Sequence, residues 1–80
     1  MSAEVWVEMA EAVGVKVPHL VRLRKRLVWT QRELAERAGV SVPVIVAGEN
    51  GRPISLKSVR KLAKALRVKP AALMAEEQEE

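Results

Sequence analysis

The sequence predicts a small all-α domain, and three observations carry that expectation. Apolar residues recur at three- and four-residue steps, hydroxyl residues stand where helix starts need an acceptor, and a glycine separates two short helical runs so closely that they must meet at a tight turn. The expected architecture is a five-helix domain with an extra N-terminal helix. Residues 1–17 form that helix and a linker, 18–75 the domain, and 76–80 an acidic tail.

From Ala3 to Val13, the residues Val5, Trp6, Met9, Ala10 and Val13 trace one face, with Glu4, Glu8 and Glu11 between them, and Gly14 can end the turn. This predicts a short amphipathic helix that packs on the domain's own core or on a dimer partner. Residues 15–17 read as a linker, because Pro18 disfavours helix at Val17 while being welcome in a first turn. A second helix then runs from Pro18 to about Leu27, with Leu20, Leu23 and Leu27 inward and Arg22, Arg24, Lys25 and Arg26 around them.

Thr30 and Glu33 form a capping box, in which each side chain satisfies an amide at the start of a helix whose inner face is Leu34, Ala35 and Ala38. Gly39 supplies the positive φ that a helix end often needs. Ser41 caps the next helix, Val42 to about Asn50, in which Pro43 is harmless because a first-turn amide has no intrahelical partner. After a loop at 50–53, Ser55 caps a helix with Leu56, Val59, Leu62, Ala63 and Leu66 on one side and Lys57, Arg60, Lys61 and Lys64 on the other. A last short helix starts near Pro70 and presents Leu73 and Met74.

Eighty residues allow one core, and 49% hydrophobic with 30% charged residues allow that core to be both filled and solvated. The longest uncharged stretch, 38–48, is far shorter than the ~20 residues of a membrane span, and no export signal is visible, so a cytoplasmic location is expected. The absence of cysteine excludes disulfides, thiolate metal sites and thiol nucleophiles. His19 is the only histidine and has no companion at metal-ligand spacing, so neither an enzyme nor a metal or cofactor site is expected. The net charge of +4 becomes +8 once the four glutamates of 76–80 are set aside, which suits a polyanionic partner.

Ala35, Gly39 and Ile45 together have separate physical jobs: a close helix crossing, an unstrained turn, and an anchor from the second helix into the shared core. With these residues, the runs Trp29-Thr30-Gln31, Glu33-Leu34-Ala35, Ala38-Gly39-Val40-Ser41, Glu49-Asn50-Gly51 and Ser55-Leu56 resemble the lambda-repressor/Cro-like (Xre) helix-turn-helix family over roughly 20–74. The resemblance implies a transcriptional regulator, repressor-like, with Val42 to Asn50 laid in the major groove of duplex DNA as a homodimer. It also implies that Gln31 binds phosphate at a helix start, where free amides and the helix dipole attract anions, with Arg32, Asn50 and Arg52 as further phosphate candidates. Arg24 and Glu49 resemble a family ion pair tying the first domain helix to the end of the recognition helix.

The recognition helix departs from the family's pattern. Val42, Pro43, Val46 and Ala47 stand where polar base readers are usual, and none of their side chains hydrogen-bonds. Ser41, contact with thymine methyls and readout of DNA shape remain. Exposed Val42, Val44, Val46 and Ala47 would alternatively form a protein-binding patch, in a protein-interaction module or an antitoxin with the same fold. Gly48 allows two readings: a helix end that frays, at a cost of about 1 kcal/mol relative to alanine, or a close backbone approach.

Overall fold

A computed structural model of the protein describes residues 14–74. The helix expected over 3–13 and the acidic tail at 76–80 lie outside the described residues. Five helices follow in order: α1 (Leu20–Arg26), α2 (Gln31–Ala38), α3 (Val42–Glu49), α4 (Leu56–Leu66) and α5 (Pro70–Met74).

Helix starts obey the local chemistry. Thr30 Oγ1 accepts from the Glu33 amide at 3.0 Å while Glu33 Oε1 accepts from the Thr30 amide at 2.8 Å, completing the box on α2. Ser41 and Ser55 cap α3 and α4 through the amides of Val44 and Ser58. Each such cap contributes about 1 kcal/mol. Gly39 caps α2 at φ 75, and its amide donates to the Ala35 carbonyl, so only three residues separate α2 from α3.

The first domain helix is shorter than the periodicity suggests. Pro18 and His19 form a turn, and His19 is the cap rather than part of the first turn. At the other end α1 stops at Arg26, and Val28 takes φ 60. Leu27, the cap residue just past the last turn, is 40% exposed, a correction to its expected burial.

The core gathers Leu20 and Leu23 of α1, Leu34 and Ala35 of α2, Ile45 of α3, Val59, Leu62, Ala63 and Leu66 of α4, and Leu73 of α5. Fully burying one such aliphatic side chain contributes about 1.5–3 kcal/mol before ordering costs are counted. Residues 15–17 are not a simple linker. Val15 exchanges two backbone hydrogen bonds with Ile54, at 2.7 and 2.8 Å, and Val17 is buried beside α3.

Gly48 is where that packing is tightest. A Cβ built on it would lie 3.0 Å from both Leu20 Cδ2 and Val17 Cγ2, so the end of α3 seats backbone-first on α1 and the segment before it. The Asn50 amide closes the last turn on the Val46 carbonyl at 3.0 Å. Close approach, not fraying, therefore accounts for the glycine.

Candidate nucleic-acid interface

The seat of α3 is completed by a polar cluster around Glu49. Arg24 Nε and Nη2 donate to its two carboxylate oxygens at 2.5 and 3.0 Å, and Gln31 Nε2 donates to Oε1 at 2.9 Å. Arg24 Nη1 also donates to the Trp29 carbonyl at 2.7 Å. One carboxylate at the end of α3 thereby holds the middle of α1 and the start of α2. The two charged side chains are only 12% and 7% exposed, so solvent screens the pair little.

Burial works to raise the Glu49 carboxyl, yet the hydrogen bonds from Arg24 and Gln31, with the nearby charges of Arg24 and Lys25, outweigh it and hold it below the usual carboxylate value. The Arg24 guanidinium is held further above its usual range by the same hydrogen bond. Because the folded Glu49 value is lowered, its stabilisation is complete above the unfolded value of about 4.3 and drains away as pH falls through the folded one. Urea melts taken between about pH 7 and about pH 3 should therefore show a steeper acid loss for the parent chain than for Glu49→Gln. Parallel curves would refute the contribution.

Around this cluster the candidate contact residues divide by exposure. Arg32, Ser41, Pro43, Asn50 and Arg52 are exposed, while Gln31, Val42, Val46 and Ala47 are half-buried. Val42, Pro43, Val46, Ala47, Asn50 and Arg52 together line one shallow open depression, with no acidic side chain in its lining. Gln31, expected to reach outward, instead commits its amide nitrogen to Glu49, and its backbone stands at the start of α2. Ser41 Oγ is likewise engaged as a cap. The apolar patch is narrower than expected, since Val42, Val44 and Ala47 pack in part against the core.

Trp29 is half-buried against the core, and Arg37 stacks over its ring 4.5 Å from the centroid, an arrangement of packing. The Gln31 contact escaped the sequence because its partner lies 18 residues away and only the crossing of α2 and α3 brings them together.

A family model described as helix-turn-helix matches residues 20–73, more than half of the chain. The chain belongs to the Xre/lambda-repressor-like helix-turn-helix family. No curated protein and no solved structure matches it. Its helix-turn-helix unit is α2, Gly39 and α3, and the Xre family is one of DNA-binding transcription regulators, generally non-enzymatic. In this helix-turn-helix chain no helix among the described residues is long and apolar enough to cross a membrane.

Proposed function

We propose that the protein is a repressor-like regulator that binds duplex DNA by laying α3 in the major groove. The observation that carries this reading is the outward face of α3: Pro43 and Val46 stand clear of the core, flanked by exposed Arg52 and Asn50. A groove about 12 Å wide admits such a helix. Arg32, Asn50, Arg52 and the free amides at the start of α2 supply phosphate contacts, with Gln31 adding its remaining carboxamide and backbone.

Val42, Pro43, Val46 and Ala47 leave base discrimination to thymine methyls, to Ser41 and to duplex shape, because bidentate pairs worth about 1–3 kcal/mol are absent from these side chains. A homodimer presenting two α3 helices about 34 Å apart would meet successive major grooves.

Selection of bound fragments from random duplex DNA, followed by footprinting, tests the reading. The expected outcome is a two-fold site rich in A·T steps. Uniform cleavage with no preferred site would overturn it. In a salt titration of the same complex, Arg52→Ala should weaken binding to all sequences alike and shorten the log–log slope by about 1, one phosphate contact. An unchanged slope would remove Arg52 from the interface.

A further inference from the structure

On α4, away from the depression on α3 and sharing no residue with it, lies a second open cleft whose lining includes Leu27, Trp29, Arg37, Lys61, Lys64 and Arg67. Its charges are all positive. Among the described residues no carboxylate pairs with Lys61, Lys64 or Arg67, and Arg37 is fixed over Trp29. Between these charges the lining holds Leu27, Trp29, Ala38, Ala65 and Leu66, and next to Leu27 stands Val28, 86% exposed.

Two helix ends meet at the same place. Val28 and Arg67, both at φ 60, are the non-glycine residues with positive φ among those described; Arg67 lines the cleft and Val28 sits between two residues that do. Both end helices: the Arg67 amide donates to the Ala63 and Lys64 carbonyls, and the Val28 amide to the Lys25 carbonyl. Cationic side chains beside exposed apolar ones describe a surface suited to a partner that is both acidic and apolar.

We propose that this cleft is the docking site of the chain's own residues 1–13. That segment carries Glu4, Glu8 and Glu11 and no basic side chain, together with Val5, Trp6, Met9 and Val13, so it matches both the charge and the exposed apolar side chains of the cleft. The other acidic segment, 76–80, is glutamates and one glutamine, with nothing to cover Leu27 and Val28.

Reach permits the docking within one chain. Gly14 lies against Pro53, just ahead of α4, and the cleft lies toward the other end of that 11-residue helix, about 16 Å away. Thirteen residues span about 20 Å as a helix and about 43 Å extended. The inference is independent of the DNA reading, because it uses none of the α3 surface.

The chain has no cysteine, so Ser2→Cys in the full chain accepts a single nitroxide label. In an amide spectrum the signals of Leu27, Arg37 and Lys64 should lose most of their intensity and regain it when the label is reduced. Lys61→Glu with Lys64→Glu should abolish that loss. So should Glu4→Gln, Glu8→Gln and Glu11→Gln made together, which leave the described core untouched, and the dispersion of each spectrum reports folding. Signals unaffected by the label, or a loss that survives both sets of substitutions, would overturn the proposal. So would an equal loss in isotope-enriched unlabelled chain mixed with labelled, unenriched chain, since the segment would then come from a second copy.

Discussion

Replacing Arg24 with alanine is expected to lower the unfolding free energy by about 2–4 kcal/mol. Glu49, 7% exposed, would keep only the Gln31 hydrogen bond for a carboxylate that now accepts three, and the Trp29 carbonyl would lose its guanidinium donor. Removing one member of a shielded pair costs more than the pair itself contributes, because the survivor is left charged and under-solvated. Arg24→Ala combined with Glu49→Gln should therefore recover part of the loss, and a double-mutant cycle in urea would measure the coupling. Strict additivity of the two single losses would mean that the contact carries no energy. For a domain of this size each kcal/mol corresponds to roughly 4–8 °C in Tm, so thermal melts give an independent reading.

The second large effect is expected at Gly48. Leucine there should cost about 2–3 kcal/mol net, even though it is the better helix former by nearly 1 kcal/mol, because its branched side chain must enter a space already filled by Leu20 and Val17. Alanine divides the two effects. Its single methyl meets two side-chain ends at 3.0 Å, which have to yield by a few tenths of an ångström, and the gain in helix propensity offsets that strain to within about 1 kcal/mol. Denaturant midpoints for both variants, with the methyl signals of Leu20 and Val17 as local reporters, would check the ranking. A leucine variant as stable as the parent would show that α3 is not seated through its backbone. Because Gly48 sits one residue before Glu49, a tilt of α3 large enough to admit leucine would also strain the Arg24 contact.

What was legible in the sequence was the chemistry that acts over a few residues. The Thr30–Glu33 box, the Gly39 turn and the Ser41 and Ser55 caps depend on neighbours at most four positions away, and each stands where its residue types direct. Ile45, Leu34 and the α4 stripe were legible from periodicity alone. Leu27 was misread because periodicity cannot register a helix that stops one residue early at a left-handed Val28. Val17 was missed as a core residue because a lone apolar position before a proline carries no pattern, and its partners Gly48 and Ile54 are remote in sequence. At the candidate interface, the exposure of Arg32, Asn50 and Arg52 followed from helix position, whereas the recruitment of Gln31 into the Glu49 cluster required the crossing itself.

The pairing of Val15 with Ile54 bears on where this protein can be shortened. A chain cut back to residues 20–73 would retain every position of the family match and still lose the two hydrogen bonds that fasten the segment carrying Arg52, together with the valine that walls one side of the Gly48 contact. The contacts that steady this domain therefore begin upstream of the part by which it is recognised.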